Sequence, residues 1–251
     1  MKSSRPLIIG HRGASGLEPE NTLASFRRAL ELGADGVECD IHLSRDGQAM
    51  VIHDPTLQRT TNGNGAVAEM DLAQLRRLDA GHGERIPTLE ELLELIRGRG
   101  QVFCELKGKG SAAPAAKVVA EHGMTDHVLF ICLELDMLAE IRRQGEQFRI
   151  GGLFGYSHPV NWPALATLRA EAMLPYYRMV SLAMLDAAHH APGLADPGIP
   201  RLAGPLAVYP WTVDHLPDMR AMFALGVDAV ITNWPDVLIQ GLRTSNPGAA
   251  R

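Results

Sequence analysis

The chain has 251 residues, 46% hydrophobic and 21% charged, with 24 Lys and Arg against 29 Asp and Glu, a formal net charge of −5. That balance excludes a largely disordered chain, and a pI near 6.1 excludes a general nucleic-acid-binding surface, which needs excess positive charge. At this length folding removes roughly 70–75% of the unfolded surface from water, so a core needs neither a disulfide nor a structural metal. No run approaches the roughly 18–20 apolar residues of a membrane span, and Leu7-Ile8-Ile9 is too short for the core of a signal peptide. Three cysteines, an odd number, fit reduced thiols in the cytoplasm. Cys39 and Cys104 each stand beside an acid, and strand alternation turns them to the opposite face as packing residues.

In chain order, short β-rich runs fall at 7–10, 36–43, 48–53, 102–106, 128–132, 149–153, 178–182, 206–212 and 228–232. Amphipathic helices are predicted between them at 22–32, 88–97, 113–122, 134–144, 161–171, 215–225 and 235–243. In the first helix Leu23, Phe26 and Leu30 recur at helical spacing, and Gly33 supplies the stop. Alternation of this kind predicts a parallel sheet of βα units. Nine strands are one too many for an eight-stranded barrel. The surplus is 48–53, because the turn signal Ser44-Arg45-Asp46-Gly47 makes it the return arm of an antiparallel hairpin. Pairing Ser44 with Gly47 sets 43 opposite 48, 40 opposite 51 and 38 opposite 53. The expectation is a TIM (β/α)₈ barrel forming a single domain over 1–251, with 54–100 as a small insertion over the barrel mouth. Residues 187–205, rich in Pro and Gly, read as a long loop, and the chain after Thr244 reads as a frayed tail.

Four short motifs stand near the carboxyl ends of predicted strands, where barrels build their active sites: His11-Arg12-Gly13, Glu38-Cys39-Asp40, His53-Asp54 and Glu105-Leu106-Lys107. Glu38 and Asp40 are two apart on one strand and share a face. With Glu105 they place three carboxylates together, which would repel and partly protonate without a counter-ion. One hard divalent cation, Mg²⁺ or Ca²⁺, removes that penalty through an all-oxygen ligand set. The alternative is a salt-bridge network with Arg and Lys. In the hairpin register above, His53 lies opposite Glu38, and His11 arrives from the adjacent strand. Two such imidazoles make a general acid and a general base, in an order the sequence leaves open. Arg12 and Lys107 add fixed positive charge suited to a phosphate ester. The other histidines, His42 included, read as surface or packing residues.

The segments HRGASGLEPENTLASF, GVECDIHLSRDGQAMVIHDPTLQRTTNGNG, IPTLEELLEL, CELK, YPWTVD and GVDAVITNWPD resemble, in that order, the glycerophosphodiester phosphodiesterase family. The resemblance implies hydrolysis of a small-molecule glycerophosphodiester to an alcohol and glycerol 3-phosphate, with a divalent metal. It implies His11 and His53 as the acid/base pair, Glu38, Asp40 and Glu105 as metal ligands, and Arg12 and Lys107 as phosphate contacts. Trp211 matches the tryptophan that lines the glycerol side of the family's pocket. The sequence departs from the family pattern at Asn233, where Asp commonly follows the threonine, at Asp214, where Asn is usual, and over Ile131–Glu134. These departures are expected to bear on the leaving-group pocket and to leave the acids, both histidines, Arg12 and Lys107 untouched. Two alternatives keep the same site: a phosphodiesterase acting on lysophospholipids or inositol phosphodiesters, and a non-catalytic phosphate-ligand binding barrel.

Overall fold

A computed structural model describes residues 5–190 and 204–245. Strands and helices alternate: β1 (Leu7–Gly10), α1 (Leu23–Leu32), β2 (Gly36–Leu43), β3 (Ala49–Val51), α2 (Leu72–Leu75), α3 (Leu89–Ile96), β4 (Gln101–Leu106), α4 (Ala112–Glu121) and β5 (Val128–Cys132). The chain continues with α5 (Leu135–Gln144), β6 (Arg149–Phe154), α6 (Trp162–Leu168), β7 (Ala172–Pro175), α7 (Leu182–His189), β8 (Ala207–Val208), α8 (Leu216–Leu225), β9 (Ala229–Thr232) and α9 (Pro235–Ser245). Eight strands run parallel in the order β8-β7-β6-β5-β4-β2-β1-β9, and β3 pairs antiparallel to β2 off that path. Backbone bonds from Asp228 to Val208 (3.0 Å), Ile231 to Pro210 (3.0 Å) and Val213 to Ile231 (2.9 Å) span the seam between β8 and β9. The architecture is therefore a nearly closed (β/α)₈ barrel.

Strand alternation sorts the core into layers. Ile9, Phe103, Leu129, Ile131, Leu153, Leu174, Tyr209 and Ile231 pack together, while their alternates Ile8, Val37, Cys39, Ile41, Val102, Cys104, Phe130 and Val230 pack with helical residues. Cys39 and Cys104 are fully buried free thiols in that second group, as their alternation with acids requires. Between β3 and α3, Leu57, Val67, Leu75, Ala80 and Ile86 close a core of their own with Met50 and Ile52. Local signals explain the helix ends. Thr22 accepts from the Ser25 N–H ahead of α1, and Gly33 ends that helix at φ 101°. Thr88 and Glu91 form a reciprocal capping box on α3. No helix among the described residues is long and apolar enough to cross a membrane.

Three expectations are corrected. The hairpin pairs Ile41 with Val51, His42 with Met50 and Leu43 with Ala49, one residue out of the expected register. Ser44 N–H bonds to the Gln48 carbonyl at 3.0 Å, and Gly47 takes φ 79°, so the loop holds three residues with glycine in the left-handed position. The strand expected at 178–182 is absent; the barrel uses Ala172–Pro175 instead, and Leu182–His189 is helical. The helix expected to run to 171 stops because Arg169 turns left-handed at φ 51°, with no glycine there to signal it. Of the loop expected over 187–205, residues 191–203 lie outside the described residues, as does the tail after Ser245.

Candidate active site

The C-terminal ends of the strands open into a cavity of about 140 Å³ lined by His11, Arg12, Glu38, His53, Glu105, Lys107, Ile131, Leu133, Leu153, Trp211, Thr212 and Ile231. One wall is charged and comes from β1 to β4; the facing wall is apolar. Seven of the eight residues singled out from the sequence line this cavity. The eighth, Asp40, is fully buried and lies behind Arg12 and Lys107, with ion pairs of 3.3 Å to Arg12 Nε and 3.6 Å to Lys107 Nζ.

The three acids converge because of register. Asp40 is the lateral partner of Glu105 and Glu38 that of Phe103, so all share the inward face of neighbouring strands. Their carboxylate oxygens can be chosen within 4.8 Å of one another, a set able to hold a metal ion. Lys107 Nζ reaches Glu105 Oε1 at 2.7 Å, and Arg12 donates its backbone N–H to Glu38 Oε2 at 3.0 Å. This pairing is incomplete: Glu38 Oε1 and Asp40 Oδ1 are buried without a hydrogen-bond partner. Two orphaned, inward carboxylate oxygens beside a third carboxylate suit a hard cation, so the donor set fits the expected divalent ion better than a closed salt-bridge network.

Burial divides the acids electrostatically. Glu38 is driven well above the usual carboxylate range by desolvation and by the charges of Asp40 and Glu105. Glu105 is pushed up to about 7 by burial and by Asp40, despite its ion pair with Lys107. Asp40 is also desolvated, but Arg12, Lys107, His53 and a bond from Asn21 outweigh that and hold it low. The same cluster thus holds one acid biased toward its ionised form and two biased toward their protonated forms.

Arg12 sits in the left-handed region at φ 53° and Gly13 follows at φ 84°, a tight reversal after β1 that brings the Arg12 side chain back over the acids. A Cβ on Gly13 would lie 2.2 Å from Ser25 Oγ, so only glycine fits there. Arg12 Nη1 also binds Glu20 at 2.8 Å.

The histidines are held differently. His53 Nδ1 lies 2.6 Å from Asp54 Oδ1, and Arg59 forks onto Asp54 (2.7 Å) and Glu20 (2.8 Å). The ladder ends at Val51, and Ile52 N–H bonds to the Asp40 carbonyl (2.9 Å) before the chain bends. His53 thus reaches the cavity from a bend and not from the strand position expected for it. His42 Nε2 lies 3.0 Å from the His53 carbonyl and braces that bend. His11 Nδ1 lies 2.7 Å from Asn233 Oδ1, and its Nε2 faces Glu38 Oε2 at 3.8 Å. Burial and the Arg12 charge lower its pKa to about 4, so the ring is neutral.

Several site residues escaped the sequence reading. Asn21, at φ 57°, donates to Asp40 Oδ2 at 2.8 Å. Its signal was a polar residue directly before the Thr22 cap, indistinguishable by itself from a solvated loop residue. Arg59 and Glu20 were equally mute, because their partners come from other segments. The family departures at Asn233 and Asp214 do touch the centre, contrary to expectation: Asn233 bonds to His11, and Asp214 bonds to Asn233 at 2.7 Å.

Barrel and rim together define a (β/α)₈ protein whose charged pocket sits at the carboxyl ends of its strands. The sequence matches the Glycerophosphoryl diester phosphodiesterase family over residues 11–237, and the chain belongs to that family. A glycerophosphodiester phosphodiesterase of Caldanaerobacter subterraneus subsp. tengcongensis is 34% identical over 252 residues, covering 95% of this chain and 98% of that protein. The enzyme of the same name from Bacillus altitudinis is 30% identical, covering 91% and 95% of the two chains. An Oleispira antarctica phosphodiesterase, solved in complex with the product sn-glycerol-3-phosphate, superposes with a TM-score of 0.84 at 27% identity, covering 95% of this chain and 97% of the other.

Proposed function

We propose that this chain hydrolyses glycerophosphodiesters to an alcohol and glycerol 3-phosphate, with one divalent cation held by Glu38, Asp40 and Glu105. The observation that carries the reading is the convergence of two imidazoles, each oriented by its own partner, on one cavity lined by Glu38 and Glu105, with the Asp40 carboxylate buried directly behind them. A bound cation would supply Lewis-acid polarisation of a non-bridging phosphate oxygen. Lys107 and Arg12 bring the positive charge that binds and orients the phosphate. His11 is neutral, with Nε2 turned to the cavity, and takes the proton of the nucleophile. His53, backed by the Asp54 carboxylate, delivers a proton to the departing alkoxide. Trp211 is fixed by its indole N–H on the Leu174 carbonyl at 2.8 Å and, with Leu153 and Ile231, packs against the carbon skeleton of the substrate. The nucleophile is water or a glycerol hydroxyl; release of a cyclic glycerol phosphate during turnover identifies the latter. A free-thiol chain of mild acidity suits a cytoplasmic setting.

The test is a matrix of chelated protein, Mg²⁺, Ca²⁺, Mn²⁺ and Zn²⁺ against glycerophosphocholine, other headgroups and lysophosphatidylcholine, read as glycerol 3-phosphate or lysophosphatidate release. Activity is expected to vanish on chelation and return with a hard divalent ion. Turnover that survives thorough chelation removes the cation from the mechanism. Preference for lysophosphatidylcholine moves the substrate class to lysophospholipids. Tight glycerol 3-phosphate binding without turnover makes the barrel a binding module.

A further inference from the structure

Asn233 and Asp214 stand outside the cavity lining, yet they join His11 in one directed chain of hydrogen bonds. Asp214 Oδ1 accepts from Thr232 Oγ1 (3.1 Å) and from the Asn233 backbone N–H (2.9 Å), and its Oδ2 accepts from Asn233 Nδ2 (2.7 Å). Thr232 Oγ1 in turn accepts from the Trp234 N–H at 3.0 Å, which leaves its own proton for Asp214. An ionised carboxylate has no proton to donate, so every bond into Asp214 points the same way.

That polarity removes a two-fold ambiguity. A free asparagine amide can present oxygen or nitrogen to a neighbour, the two orientations having nearly the same shape. Here the flipped orientation would set Asn233 Oδ1 against Asp214 Oδ2 at 2.7 Å, acceptor on acceptor. Nδ2 must therefore face Asp214, and Oδ1 must face His11 Nδ1 at 2.7 Å and Ser15 Oγ at 2.7 Å. A neutral imidazole facing an acceptor carries its proton on Nδ1, so the lone pair is on Nε2.

We propose that Asp214 and Asn233 act as one positioning unit for His11, Asp214 fixing the direction of the Asn233 amide and thereby the tautomer that turns a proton-accepting Nε2 to the cavity. The proposal rests on His11 being the proton acceptor of the reaction. It also gives a physical reason for the two departures from the family pattern. With amide and carboxylate exchanged between the two positions, the inner group could still accept from His11 and the pair could still share one N–H···O bond, so the reciprocal exchange is expected to keep the unit and either change alone to break it.

The test has two arms. The ¹⁵N spectrum of the metal-free wild type reads the His11 tautomer directly, assigned by its loss in His11→Ala. An Nδ1–H tautomer is expected; an Nε2–H tautomer overturns the proposal, whatever the activity. In the second arm Asp214→Asn, Asn233→Asp and the double exchange are assayed, with folding checked by thermal melting. Asp214→Asn frees the amide to rotate, and Asn233→Asp sets two carboxylates side by side. Each is expected to lower kcat roughly 10–100-fold, the scale for losing a partner that orients a site group, with KM and cation affinity little changed. The double exchange restores one donor facing one acceptor and should recover kcat to within about threefold. A double variant no better than the worse single change, or a folded Asp214→Asn with wild-type kcat, refutes the unit. If His11→Ala itself retains wild-type turnover, the catalytic reading of His11 fails, and the tautomer then reports the hydrogen-bond chain alone.

Discussion

Cation binding should be coupled to proton release from Glu105 and Glu38. The folded pKa of Glu105 is about 7 against an ordinary 4.5, because burial and the Asp40 charge outweigh the 2.7 Å ion pair with Lys107. That difference corresponds to about 3 kcal/mol. The sign follows from linkage: a raised carboxyl pKa means the folded, metal-free protein binds this proton more tightly than the unfolded chain does. The group's contribution to stability is therefore lost as pH rises from about 4.5 to about 7. A cation must displace the same proton. At pH 6, below that value, Glu105 is expected to be mainly protonated, and Glu38 is raised in the same direction. Isothermal titration of Mg²⁺ or Ca²⁺ at pH 6, in buffers of differing ionisation enthalpy, should report release of about one proton or more per ion. Apparent affinity should fall by about tenfold or more per pH unit below pH 7, and the cation-induced rise in Tm should grow from pH 5.5 to 7.5. Affinity independent of pH from 5.5 to 7, with no buffer dependence of the enthalpy, would mean that no proton leaves these carboxyls when the ion binds and would refute the raised pKa values.

Other outcomes follow from the same geometry. Replacing His11 or His53 by Ala should lower kcat by ~10²–10⁴, about 3–5 kcal/mol of barrier, with little change in Tm because both rings line the cavity. A variant that melts early but keeps wild-type specific activity in its folded fraction would make that ring structural. Glu105→Gln should weaken cation binding and be partly rescued by excess metal, whereas Lys107→Met should lose kcat/KM without rescue; the opposite pattern would reverse the two roles. Gly13→Ala forces a side chain into the left-handed region and onto Ser25, so chemical denaturation should show a loss of roughly 2 kcal/mol or more, and an unchanged midpoint would contradict the tight turn.

The sequence by itself determined what local physics can encode. Two-residue spacing put Glu38 and Asp40 on one face, and alternation put Cys39 and Cys104 on the other, because neighbouring side chains on any strand must point to opposite sides. Thr22 with Gly33 and the Thr88 cap marked helix ends through donors and backbone conformations available within a single turn. Repeated strand and helix signals were enough for the barrel. The Ser44–Gly47 signal is compatible with a loop of two residues or of three, and one extra residue turns every side chain of the return arm to the other face. His53 still reaches the cavity, but only because the ladder ends at Val51 and the bend is pinned by His42 and by Arg59 through Asp54. Ala172–Pro175 carries no local signal of its own start, because Arg169 ends α6 in a left-handed turn that glycine more commonly makes. Tertiary structure alone decided how each histidine is held. His11 meets its partner across 222 residues of sequence, and the direction of that bond is set by Asp214, reached from yet another segment. Alternation and capping are short-range and survive in one dimension; the orientation and protonation of a buried imidazole depend on acceptors and charges that only chain closure brings together.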